Sequence, residues 1–150
     1  MNTFKKANIL IPKDIDFSKW SVVACDQYTS QPEYWEDVKN IVSQSPSCLN
    51  IVFPEAFLHE GDERIENINK TMQSYIEDGI FEECLDSLVY VRRTMSNGKT
   101  RCGIIGCVDL EDYEYTKGSE TLIRATEGTV LERIPPRVAI RRGAVLEMPT

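Results

Sequence analysis

The stretch SLVYVRRTMSNGKTRCGIIGCVDL, residues 87–110, decides the fold. Asn97-Gly98 separates two runs rich in β-branched and other apolar residues. Asn-Gly accepts positive φ at both central positions, as a two-residue type I′ turn requires. The segment therefore reads as a β-hairpin with Val91 opposite Ile104 and Leu88 opposite Cys107. Gly103 and Gly106 offer a strand nothing to pack, so they mark a bulge or the close approach of another element.

Before the hairpin, helical spacing of apolar residues predicts helices over about 31–44 and 62–78. Ser30 with Glu33 forms a capping-box pattern for the first, and Pro32 suits its opening turn. Gly79 fits the left-handed residue that ends the second. Trp20–Cys25 and Leu49–Phe53 are short apolar runs that read as buried strands. Phe81–Leu85 reads as a short helical piece or turn. After the hairpin, a helix is expected to start near Gly128–Thr129 and break at Pro135-Pro136. A second short helical or irregular stretch then reaches Gly143, and Ala144–Pro149 looks like a strand just beginning. The class is α/β or α+β: a mixed sheet containing the 87–110 hairpin, with helices packed on it. The chain is read as a single domain or as the N-terminal, incomplete portion of a larger fold. A strand cut off at 144–150 leaves an unpaired edge, so self-association is expected.

The chain has 150 residues and a net charge of −7, which disfavours binding to phosphate backbones. No apolar run approaches the roughly 20 residues that span a bilayer, so no membrane partner is expected. The five cysteines contain no CxxC pair. With no signal peptide evident, they point to the cytoplasm. Cys102 and Cys107 are five apart in one strand, fall on opposite faces, and read as free, buried or half-buried thiols. His59 is the sole histidine, and it reads as a solvated loop residue with neither a zinc constellation nor a triad. No metal ligand set is assigned.

Two constellations can carry chemistry. Asp26-Gln27-Tyr28-Thr29-Ser30 lies between an expected strand and a helix, where ligands of open sheets sit. Asp26 can accept from a substrate amine or hydroxyl or contact magnesium, while Gln27 and Tyr28 orient a ligand. The plain alternative is that these residues only satisfy loop backbone. The second is an arginine segment: residues 124–142 carry five arginines, no lysine and two glutamates. Arginine offers a planar, always-charged fork for carboxylate or phosphate. Arg124, Thr126, Thr129 and Arg133 can surround a small anionic metabolite, with Glu127 balancing charge or acting as a base. The alternative is a structural clasp in which the arginines pair with the acidic remainder of the chain.

The strings WSVVACDQYTSQPEYW (20–35), RATEGTVLERIPPR (124–137) and RRGAVLEMP (141–149) are long and specific. Together they resemble the prokaryotic family known as domain of unknown function 1015, in its clostridial-type branch. Members of that family are longer, and this chain is similar to their N-terminal part. Their downstream half carries an Asp-Gly-Asn-His-Ser or Asp-Gly-His-His-Arg type motif like that of the ParB/sulfiredoxin fold, which includes free-serine kinases. The resemblance thus implies a small-molecule enzyme with phosphotransfer or phosphoester chemistry linked to serine metabolism, using ADP or ATP with magnesium in the full-length protein. The motif is absent here: His59 follows Leu58 and precedes Glu60. No catalytic residue is carried over. A non-catalytic ligand-binding or regulatory domain is the competing expectation.

Overall fold

The computed structural model describes residues 3–124, 128 and 130–148. The chain divides into two compact units. One, here the strand unit, comprises Met1–Ile11 and Glu82–Gly128; the other, the helical unit, comprises Pro12–Phe81 and Thr129–Thr150. The fold is α+β, a mixture of helices and small sheets.

In the strand unit, β1 (Phe4–Lys5) pairs antiparallel with β6 (Cys107–Val108). The hairpin strands are β4 (Val89–Thr94) and β5 (Thr100–Ile105). β7 (Tyr113–Glu114) pairs parallel with β8 (Ile123–Arg124). A further pair joins β2 (Ala7–Pro12) to β3 (Phe81–Ser87). Every sheet described has two strands, so the hairpin does not lie inside the larger mixed sheet expected from the sequence.

The hairpin forms, with a register one residue from that predicted. Val91 faces Gly103, and Thr94 faces Thr100. The cause is the turn. The Met95 N–H donates to the Lys99 carbonyl and the Gly98 N–H to the Met95 carbonyl, with Gly98 at φ +78°. This is a three-residue loop ending in one left-handed glycine, not a two-residue type I′ turn. A slip of one residue exchanges the faces of every side chain. Tyr90, Arg92 and Thr94 thus share a face with Ile104, Cys102 and Thr100. Gly106 is the close approach anticipated: a Cβ there meets the Lys5 carbonyl oxygen at 2.6 Å. A Cβ on Gly103 meets nothing within 4 Å.

The helical unit holds the core. Its helices are α1 (Phe17–Trp20), α2 (Pro32–Val42), α3 (Gly61–Glu77) and α4 (Ile134–Gly143). α2 and α3 match the two predicted helices, and Gly79 takes φ +66° just past α3. The capping box does not form: Gln31, not Ser30, precedes α2 and makes no side-chain cap. Trp20 is the last residue of α1, and 21–25 runs on without strand pairing. The second expected strand is a 3-10 turn over Cys48–Ile51, capped by the Ser47 hydroxyl, which accepts from the Leu49 N–H at 3.2 Å. Phe81–Leu85 is not helical; it belongs to β3.

Trp35 and Val42 of α2, Leu49 and Ile51 of the 3-10 turn, and Ile68, Met72 and Tyr75 of α3 are buried together with Trp20, Phe53 and Phe57. The apolar stripe of each long helix makes this core, as its spacing predicts. Pro135-Pro136 occupies the first turn of α4, where missing N–H groups cost no helical bond. The expected helix start at Gly128–Thr129 gives way to a 3-10 turn over Leu131–Arg133 leading into α4; Thr129 lies outside the described residues. Residues 144–148 form no strand; Ala144, Leu146 and Met148 pack on the core instead. The edge that suggested self-association through this segment is therefore not present among them.

Candidate functional site

Asp26, Gln27 and Tyr28 form an exposed turn of the helical unit. Three contacts fix it. The indole Nε1–H of the fully buried Trp35 donates to the Gln27 carbonyl at 3.2 Å. Tyr28 stacks on Tyr34 with ring centres 4.1 Å apart. The Gln27 amide donates to the Asp26 carboxylate at 3.2 Å. Tyr28 holds φ +53°, a left-handed conformation that a non-glycine residue keeps only under constraint.

The segment after Phe53 is pinned to this turn, because the Glu55 N–H donates to the Cys25 carbonyl at 2.9 Å. That bond places Glu55 beside the start of the turn, and Glu55 in turn collects two arginines. Its Oε2 lies 3.2 Å from Arg133, and its Oε1 lies 3.9 Å from Arg137. Oε1 is buried and has no hydrogen-bond partner. Arg133 and Arg137 are four residues apart, one turn along the start of α4, and so project from one face. Their side chains remain 43% and 50% exposed, against 13% for Glu55. A cavity of about 40 Å³ lies between them, lined also by Cys25, Phe53, Leu58 and Ile140. It has room for little more than one water or one small polar group. Burial pushes the Cys25 thiol above its ordinary value, so at neutral pH it is a protonated wall and not a thiolate nucleophile.

The structure thus brings Asp26, Gln27, Tyr28 and Arg133 into one unit, joined through Glu55. Arg124 belongs to the strand unit, where its Nε–H donates to the Thr121 carbonyl at 3.0 Å. Thr126, Glu127 and Thr129 lie outside the described residues. Sequence reading missed Glu55 and Arg137. Arg137 stands inside the quoted arginine string, four residues after Arg133; that spacing was the available signal. Glu55 is 78 or more residues from either arginine, and nothing local marks it.

A larger groove, about 1000 Å³, runs along α2 and α3. It was not foreseen. Lys39 and Arg64 lie over the Phe57 ring, 3.9 and 4.5 Å from its centre, and both bind the Glu60 carboxylate. His59 lines the same groove as an exposed side chain. Partial burial pushes the Glu60 carboxyl up, but the Arg64 hydrogen bond and the charges of Arg64 and Lys39 outweigh it, so the group titrates below its ordinary value of 4.5. A depressed carboxyl contributes stability above its unfolded pKa and loses it as pH falls through the folded value. Glu60→Gln is therefore expected to be less stable than the parent at pH 6, with the gap closing below about pH 4.5. Urea unfolding across pH 3–6 checks this; a gap unchanged at pH 3 contradicts it.

Among the described residues, no group of three or more His, Cys, Asp or Glu is gathered to hold a metal ion. The expectation of buried or half-buried thiols at Cys102 and Cys107 fails for both, which are exposed; Cys25, Cys48 and Cys84 are half-buried. No described helix is long and apolar enough to cross a membrane.

Comparison with known proteins gives one match. The model of a family described as "Protein of unknown function (DUF1015)" matches residues 9–150. No curated protein and no solved structure matches the chain. Nearly the whole length lies within the family match, including the Asp26–Tyr28 turn, Glu55 and both arginines of α4, and the chain therefore belongs to the DUF1015 family.

Proposed function

We propose that the helical unit binds a small anionic metabolite, a carboxylate or a phosphate ester, on Arg133 and Arg137 beside the Asp26–Tyr28 turn. The observation that supports it is the pair of half-exposed guanidiniums sharing one mostly buried carboxylate. Glu55 pairs with Arg133 at 3.2 Å and stands 3.9 Å from Arg137, which leaves donors over, since each guanidinium offers five N–H groups. Pro135 and Pro136 remove backbone donors from the first turn of α4. The guanidiniums must then do the holding. A local basic patch in an acidic protein favours small anions over polyanions.

This is a binding role. Phosphotransfer or phosphoester chemistry linked to serine metabolism, with ADP or ATP, rests on the family resemblance alone. The cytoplasm stays the natural compartment for such a metabolite. A second reading has its own observation: Glu55 already neutralises one guanidinium, which suits a structural clasp.

Titration of the protein with inorganic phosphate and with phosphoserine, followed by amide NMR shifts, separates the two. Binding expects shifts around residues 26–28 and 133–137. It also expects Arg133→Ala or Arg137→Ala to weaken affinity by roughly 1.5–3 kcal/mol, the scale of a charge-assisted hydrogen bond. Should neither probe shift these residues, or both variants bind like the parent while melting earlier, the clasp replaces the binding site.

A further inference from the structure

The strand unit poses a separate question, because among its described residues no side chain is buried. On the hairpin face that carries Arg93 and Arg101, Val91 and Ile105 are 37% and 40% exposed, and on the opposite face Tyr90 and Ile104 are 65% and 60% exposed. A two-stranded hairpin with an uncovered face is marginal in water. Among the described residues β4 and β5 pair only with each other, so each also keeps an open edge of N–H and C=O groups.

Charge says what covers it. Arg92, Arg93, Lys99 and Arg101 crowd the far end of the hairpin, and no acid occurs from 87 to 108. Arg93 and Arg101 are direct cross-strand neighbours, a like-charge pair that is destabilising without an anion. None of the ion pairs among the described residues includes any of these four cations. The complement lies in the same unit: residues 109–115 read DLEDYEY. There the acids alternate with Leu110, Tyr113 and Tyr115, exposed 77%, 37% and 77%. Asp109 is held by Lys5 at 2.6 Å, whereas the Glu111 carboxylate has no partner among the described residues.

We infer that the strand unit is the interface of a homodimer, with the basic apolar hairpin of one copy against the acidic aromatic 109–115 segment of the other. A two-fold axis makes both contacts at once and closes the assembly, so it stops at two. Light scattering behind size exclusion, at low ionic strength and from low micromolar upward, is expected to find a species of twice the 17.1 kDa chain mass. Ile105→Glu, on the same hairpin face as Arg93 and Arg101, is expected to yield monomer with an unchanged circular-dichroism spectrum. Arg101→Glu and Glu111→Lys are each expected to weaken dimerisation by about tenfold or more, and the double charge swap to restore it. A monomer at every concentration, growth beyond a dimer, or a double swap no stronger than the single variants overturns the inference.

Discussion

Trp35→Ala is expected to destabilise the helical unit by about 3–5 kcal/mol, the range for removing a large aromatic from a packed interior. Trp35 is fully buried, 0% exposed. Its ring meets Phe57 edge-on with centres 6.4 Å apart, and Tyr34 at 5.4 Å. A loss of that size is a large share of a small domain's total stability of roughly 5–15 kcal/mol. Urea unfolding followed by the fluorescence of the remaining Trp20 measures it. Trp35→Phe keeps most of the packing and deletes the indole donor to Gln27, so it is expected to cost about 1 kcal/mol for the bond plus a smaller packing loss. The amides of 26–28 should then exchange faster, because that bond ties the turn to the core. A Phe variant as unstable as the Ala variant contradicts this division between packing and anchoring.

Two parts of the fold were legible because their signals are local. The stripe of Ile65, Ile68, Met72 and Tyr75 needs nothing outside α3 to declare itself, and Asn97-Gly98 announces a turn between any two strands. The register was not legible to the residue, because Asn-Gly serves both two- and three-residue loops. Trp20–Cys25 misled because a short apolar run looks the same whether it is a strand or a wrapped loop. Its buried anchor is Trp20 alone, and its backbone bonds go to turns and to Glu55. Leu49–Phe53 misled in the same way: what makes it a 3-10 turn is the Ser47 hydroxyl cap, which lies outside the apolar run. β3 shows half-buried residues at Phe81, Cys84 and Ser87, three apart, so a search for period two passes over it. In the candidate site, Arg133 was legible from composition, because arginine clusters are rare in so acidic a chain. Glu55 was not, since its role arises only when the chain folds back across about 80 residues to α4.

Gly106→Ala is expected to unpair β1 from β6, whereas Gly103→Ala, three residues earlier, leaves the strand unit intact. Neither glycine takes a left-handed φ, so the difference is one of space. A Cβ on Gly106 meets the Lys5 carbonyl oxygen at 2.6 Å, Leu88 Cδ2 at 2.7 Å and Phe4 Cζ at 2.8 Å. Leu88 and Phe4 can swing aside, because both are more than 40% exposed. The carbonyl oxygen cannot, because Lys5 is itself paired with Cys107, the residue after the glycine. Relieving the clash therefore means parting the strands. Overpacking of this kind costs typically 1–3 kcal/mol, and in a unit with no buried side chain there is little else to resist it. At Gly103 the same methyl meets open space, and the lowered entropy of the unfolded chain makes the change neutral or slightly stabilising. Amide hydrogen exchange reads the contrast: protection at Lys5 and Cys107 should fall sharply in Gly106→Ala and match the parent in Gly103→Ala. Equal protection in the two variants would mean that β1 does not hold β6 as the structure has it.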